Sequence, residues 1–190
     1  RAAAAADPRI RYVRHPQNIG ATANFGSLLT AAAGEYFFWL ADDDWISPNY
    51  VSACMAPMLA DPGVVLVAGR VEFPDETDEK MRYPVPRSYL QDDLQARTLD
   101  YLWNARDNSI NCGIYPLKLL SKIGMNNTLA GDWLTVAEAA CMGKLMTVTN
   151  ATVYRSIGGS SSNHKRLIKA LGLPAWQTAT NELIDPLGGH

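Results

Sequence analysis

Glu35-Tyr-Phe-Phe-Trp-Leu-Ala-Asp-Asp-Asp-Trp45 runs from an apolar, aromatic segment straight into three consecutive carboxylates, Asp42, Asp43 and Asp44. Tyr, Phe and Trp between Gly34 and an acidic cluster predict a buried strand over 35–41. In open α/β sheets, buried strands deliver functional groups at their carboxyl ends, where ligands sit. Three adjacent carboxylates repel one another unless a cation or a hydrogen-bond network compensates. Capping is the usual structural use of Asp, but Ser47-Pro48 already supplies an N-cap and a first helical residue for a helix running to Ala60. The aspartates lie upstream of that cap and are surplus to it. Metal or ligand binding is therefore the expected role, with a solvated acidic turn as the structural alternative.

Around this stretch the pattern alternates. Arg9–Arg14 predicts a strand, 15–20 a loop and Ala21–Ala33 a helix with Phe25, Leu28 and Leu29 at core spacing. After the acidic turn and the helix of 48–60, the apolar run Val64–Gly69 predicts another buried strand, with Val71–Phe73 extending it. Strand, helix, strand, helix, strand argues for a mainly parallel central sheet flanked by helices.

Further on, 74–88 predicts a long polar surface loop, and Tyr89–Ala105 a helix with Leu90, Leu94, Leu99 and Leu102 among its apolar positions. Pro116–Ile123 and Asp132–Cys141 predict helices, and 145–149 and 151–155 short strands around Asn150. The Gly- and Ser-rich 157–163 predicts a flexible loop, His164–Leu171 a basic amphipathic helix and 172–190 an irregular tail. No repeat and no second domain is legible.

At 190 residues and a net charge of −2, the chain has room for one sizeable core and carries no electrostatic footprint for nucleic acid. The three cysteines, Cys54, Cys112 and Cys141, are widely spaced without a C-x-x-C, as expected of buried thiols in a reducing compartment rather than of a disulfide framework or a zinc site. The longest charge-free stretch, Pro16–Gly34, is too polar to span a bilayer.

Taken together, 9–155 resembles the family-2 glycosyltransferases of the GT-A fold. The resemblance is carried by Arg11-Tyr-Val-Arg-His-Pro-Gln-Asn18-Ile-Gly20, by Tyr36-Phe-Phe-Trp-Leu-Ala-Asp-Asp-Asp-Trp45 with Pro48, and by Gly131-Asp132-Trp133-Leu134 ahead of a helix ending in Met-Gly-Lys. The acidic turn is similar to the family's DxD-type motif, and Gly131-Asp132 to the pair, often Glu-Asp, that bears its catalytic Asp. The resemblance implies inverting transfer of a sugar from a nucleotide-sugar donor to an acceptor hydroxyl, with polysaccharide or lipid-linked glycan acceptors and peripheral membrane association. A divalent Mg²⁺ or Mn²⁺ would stabilise the departing diphosphate, and hard ions prefer carboxylate ligands.

On that basis Asp43 is the expected metal ligand. Asp42 would face the ribose or the metal, and Asp44 would complete the metal shell or orient the sugar. Asp132 is the expected general base, since one in-line displacement needs only one; capping of its own helix is the alternative and can coexist. Arg155, beside the Gly/Ser-rich loop and His164, is expected to clamp the diphosphate. Asn18 belongs to an N-x-G loop that binds substrate or merely shapes a turn. Trp45 and Trp133 are candidates to stack on sugar rings or to join the core.

The front departs from the family. Its usual first strand, with a Pro-x-Tyr-Asn-like turn, and its Asp-Asp-x-Ser-like motif are missing, and Ala2–Ala6 reads as the tail of a helix that would follow them. An N-terminally truncated domain that binds nucleotide sugars poorly is expected. The rival readings are a non-catalytic glycosyltransferase-like binding module, a haloacid-dehalogenase-like phosphatase, disfavoured because Trp45 and a capped helix follow the acidic turn, and a nucleotidyltransferase, disfavoured because no Gly-rich phosphate loop opens the chain.

Overall fold

The spine of the molecule is β3 (Val64–Glu72), whose residues 64–69 are all buried. The computed structural model describes residues 2–74, 85–128 and 130–156. β5 (Lys144–Tyr154) runs parallel to β3 from Val64↔Lys144 to Glu72↔Tyr154. β2 (Trp45–Ile46) lies antiparallel on the other edge of β5, pairing Trp45↔Tyr154 and Ile46↔Val153. A second, two-stranded sheet joins β1 (Tyr36–Phe37) to β4 (Tyr115–Pro116), also antiparallel. The two sheets adjoin at Ile114, whose N–H and C=O bond Val67 at 2.7 and 3.1 Å.

Helices cover both faces. On one side α3 (Tyr50–Ala60) lays down Tyr50, Cys54 and Met58, four residues apart, against Val64, Val67, Val71 and Val153. On the other, α2 (Ala21–Ala31), α4 (Leu94–Asn104), α5 (Leu117–Ile123) and α6 (Gly131–Met142) bring Leu29, Tyr101, Leu120 and Val136 onto Leu66 and Leu145. Burying each such aliphatic side chain contributes about 1.5–3 kcal/mol. β3, buried from both sides and paired along its length with β5, therefore fixes the frame on which the short strands hang. α1 (Ala2–Ala6) precedes all of these.

The result is a mixed α/β fold with a central sheet flanked by helices, broadly GT-A-like, but several expectations need correction. Among the described residues, parallel pairing is confined to β3 with β5. The strand expected over 35–41 is paired only at Tyr36 and Phe37, because beyond Tyr115 the Gly113 N–H turns away to the Ile110 carbonyl at 2.9 Å. Trp39 is nonetheless buried against Phe25, Phe37 and Tyr115. Residues 9–14 join neither sheet; Ile10 and Val13 are exposed, and alternation without a neighbouring strand makes no ladder. The two strands expected around Asn150 are one strand, with the irregular register between Gly69 and Arg70 falling opposite that point.

Two helices also differ. α3 starts at Tyr50, and Ser47 does not cap it. The Ser47 hydroxyl instead accepts from Thr152 N–H at 3.1 Å and donates to Asn49 Oδ1 at 2.8 Å, stitching the turn to β5. α4 is shorter than expected, and its Leu94, Leu99 and Leu102 are exposed while Arg97 and Tyr101 are buried. The readings for 157–190, and for most of the 74–88 loop, lie outside the described residues.

Candidate active site

The pairing of β2 with β5 brings the acidic turn to the end of the chain's last described strand. Because Trp45 faces Tyr154 in an antiparallel pair, the residues just outside the ladder, Asp44 and Arg155, come opposite one another. Arg155 Nε lies 3.5 Å from Asp44 Oδ2, and Ser156 N–H donates to Asp44 Oδ1 at 3.3 Å. The Asp44 side chain is only 6% exposed, so this cation and amide compensate a carboxylate otherwise removed from water. Ser156 Oγ also donates to the Asp43 carbonyl at 2.7 Å, and Arg155 N–H to the Glu72 carbonyl at 2.9 Å. The turn is thus tied to β5 by backbone and side chain alike, while Asp42 and Asp43 are exposed. Sequence reasoning expected a compensating partner for this cluster but placed Arg155 on the diphosphate, not against Asp44.

Asp132 lies in the first turn of α6. The N-cap position is Ala130, in the left-handed region (φ 59°), with no side-chain cap bond. Asp132 therefore does not cap its helix. Gly131 is required by close packing, since a Cβ there would overlap the Asn126 carbonyl oxygen. The exposed Asp132 carboxylate is held instead from the side: Asn108 Nδ2 donates to Oδ2 at 2.9 Å. Asn108 Oδ1 accepts in turn from the buried Tyr101 hydroxyl at 2.8 Å. Burial first, then Tyr89 and the carboxylates of Asp132 and Asp107, push the Tyr101 phenol up, so it remains a donor.

Cys112 ends the 3₁₀ turn Ser109–Cys112, its carbonyl accepting from the Tyr50 hydroxyl at 3.3 Å. Its thiol is pushed up mainly by burial; the Arg155 charge acts downward, and the Asp44 and Asp132 charges upward. The charges of Asp44, Arg155 and Asp132, from three separate stretches of sequence, all bear on this half-buried thiol.

The remaining candidates sit elsewhere or pack differently. Asn18 Oδ1 accepts from Gly20 N–H at 2.8 Å, where Gly20 takes φ 82°, a turn that L side chains resist. It lines a cleft of about 520 Å³ with His15, Pro16, Gln17, Gly20 and Asn24, apart from the carboxylates. Trp133 is half-buried against the core, its ring 6.2 Å from that of Tyr101. Trp45 is exposed and stacked on Tyr154 at 5.5 Å with an interplanar angle of 18°. Among the described residues no group of three or more His, Cys, Asp or Glu side chains converges to hold a metal ion, and no helix is long and apolar enough to cross a membrane. Asn108, Tyr101 and Cys112 were not singled out for chemistry from sequence; nothing in the local pattern marks them.

Comparison with known proteins agrees with this architecture. The crystal structure of S. aureus TarS 1-349 is similar with a TM-score of 0.54 at 14% sequence identity, over 81% of this chain and 44% of that one. That likeness concerns the fold, and the chain spans less than half the length of the protein it matches. No curated protein matches the sequence. The family described as Glycosyl transferase family 2 matches residues 1–124, about two thirds of the chain, a span that includes the acidic turn, β3 and the Asn108 turn. This chain belongs to glycosyl transferase family 2.

Proposed function

We propose that the protein is an inverting transferase that moves a sugar from a nucleotide-sugar donor to an acceptor hydroxyl. The observation that carries this reading is the antiparallel pairing of β2 with the end of β5, which sets Arg155 against Asp44 in the acidic turn while Asp42, Asp43 and Asp132 are left open to solvent. In this reading Asp132 accepts the proton of the acceptor hydroxyl as its oxygen bonds the anomeric carbon. The bond from that carbon to the diphosphate oxygen breaks on the opposite face, and its electron pair leaves with the nucleoside diphosphate. Arg155 offers positive charge to that leaving group, and Asp42 faces the ribose.

The donor set fits a hard cation of the Mg²⁺ or Mn²⁺ type. Such ions keep several waters and bind through one or two carboxylates plus substrate phosphates, not through a full protein cage. Asp43 would hold the ion, with Asp44 completing the shell only by exchanging its contact with Arg155. When bound, the ion would stabilise charge on the departing diphosphate. The proposal extends to a polysaccharide or lipid-linked glycan as acceptor, at the cytoplasmic face of a membrane, which rests on the family resemblance alone.

The test is release of nucleoside diphosphate from UDP-glucose, UDP-N-acetylglucosamine and GDP-mannose with Mn²⁺. Asp132→Asn is expected to lower kcat by about 10²–10⁴-fold, the usual contribution of a general base. Asp43→Asn is expected to remove the Mn²⁺ dependence. Failure to release nucleotide from every donor overturns the reading. A second reading, a binding module without turnover, is favoured by the engagement of Asp44 with Arg155 and Ser156; glycan binding that is indifferent to Mn²⁺ would support it.

A further inference from the structure

Asn108 occupies a position where Asn ordinarily caps the following turn with its side chain. It makes no such bond to Ser109–Cys112; only its backbone carbonyl serves the turn, accepting from Asn111 N–H at 3.0 Å. The side chain spans two elements instead, from the Tyr101 hydroxyl on α4 to the Asp132 carboxylate on α6, at 2.8 and 2.9 Å.

The chemistry of the three groups permits only one direction. An ionised carboxylate accepts and cannot donate, so the NH₂ of Asn108 must face Asp132. The amide oxygen then faces Tyr101, which must donate to it. Tyr101 is itself immobile: it has no exposed surface, its ring meets those of Tyr89 and Trp133 at 5.4 and 6.2 Å, and its hydroxyl also lies 3.5 Å from the Trp133 carbonyl. A core anchor thus fixes an amide, and the amide fixes one oxygen of an otherwise exposed carboxylate. A neutral donor suits a base. An Arg at this place would stabilise the ionised form much more strongly and weaken the carboxylate as a proton acceptor.

We infer that Asn108 is a positioning residue for Asp132, locked in one orientation by Tyr101. The inference rests on reading Asp132 as the general base, and its test separates the two. In ¹⁵N-labelled protein, the side-chain amide signal that disappears in Asn108→Ala identifies the group. That signal is expected to move upfield in Asp132→Ala and in Tyr101→Phe; an unmoved signal in Asp132→Ala overturns the contact, whatever the protein catalyses. In the donor-turnover assay, Asn108→Ala is expected to lower kcat about tenfold to a hundredfold with donor KM nearly unchanged, the scale of a misplaced catalytic group. Asn108→Asp, the same shape without a donor and with a like charge, is expected to fall further. In an Asp132→Asn background, Asn108→Ala is expected to cost nothing more. Full kcat in Asn108→Ala, or an equal loss in that background, overturns the positioning role. Full kcat in Asp132→Asn overturns the base assignment instead, and the amide signal still decides whether Asn108 holds Asp132.

Discussion

Asp44 and Asp132 are carboxylates held in opposite ways. Asp44 is nearly sealed from water, and a guanidinium and a backbone N–H reach it from the far end of β5. Asp132 stays exposed and is steadied by a neutral amide backed by a buried phenol. A carboxylate removed from water needs a full countercharge, whereas one left in water needs only a hydrogen bond to fix its direction. The first arrangement ties two strand ends together and draws on the acid for structure. The second leaves the acid open to solvent with one oxygen fixed in direction. On the proposed reading Asp44 and Asp132 therefore divide the labour, with shape at Asp44 and proton transfer at Asp132.

The strongest way to break this comparison is at the backbone beneath Asp132. Gly131→Ala places a methyl group into the Asn126 carbonyl, which is main chain and cannot swing aside. The expected loss is about 3 kcal/mol, the upper range for overpacking, read from the urea midpoint. Breaking Asp44 instead should cost less. Arg155→Ala leaves a carboxylate with 6% exposure facing, among the described residues, the Ser156 N–H, but Arg155 is itself 34% exposed and its Nε stands at 3.5 Å, so water screens much of the pair. About 1–2 kcal/mol is expected, well below the full cost of orphaning a buried charge. Arg155→Ala combined with Asp44→Asn should recover most of it. If the double variant is no more stable than the single, Asp44 does not need its countercharge and the division of labour fails.

How much of this was legible in sequence follows from which interactions are local. Val64–Gly69 announced β3 through a continuous apolar run, and Asp61-Pro62-Gly63 marked the end of α3. Residues 9–14 alternate as a strand should, yet alternation says nothing about whether a partner is present. α4 misled because its leucines suggested a buried face. The buried residues are instead Tyr101 and Arg97, the latter satisfied by the carbonyls of Ala140, Gln91 and Asp92 at 2.6, 2.5 and 3.3 Å, partners no periodicity reveals. At the site, Asp42–Asp44, Arg155 and Asp132 stood out as charges beside turns. Asn108 did not, because its meaning depends on a contact 24 residues away in sequence. The Ser47-Pro48 cap was plausible chemistry put to another use, since the β5 edge competes for the same hydroxyl.

The smallest expected effect is also the one that probes both carboxylates at once. Cys112 is raised above the ordinary thiol value of 9.0, burial being the main cause, so at about pH 8 little of it is thiolate and it alkylates slowly. Cys141 is exposed and reacts first, while Cys54 is buried and pushed up to about 12. The signs for Cys112 follow from charge. Removing a neighbouring carboxylate lowers the thiol pKa, increases thiolate at fixed pH and speeds iodoacetamide labelling; removing Arg155 does the reverse. Asp44→Asn and Asp132→Asn should each accelerate labelling of the Cys112 peptide, and Arg155→Ala should slow it, with the rate still climbing as pH passes 9. Arg155→Lys keeps the charge and controls for loosening of the β5 end. Should Asp44→Asn change the rate while Asp132→Asn leaves it untouched, the two carboxylates do not share one electrostatic field. The acidic turn and α6 would then have to be treated as separate places, since a one-step transfer needs leaving-group charge and proton acceptor on opposite sides of the same carbon.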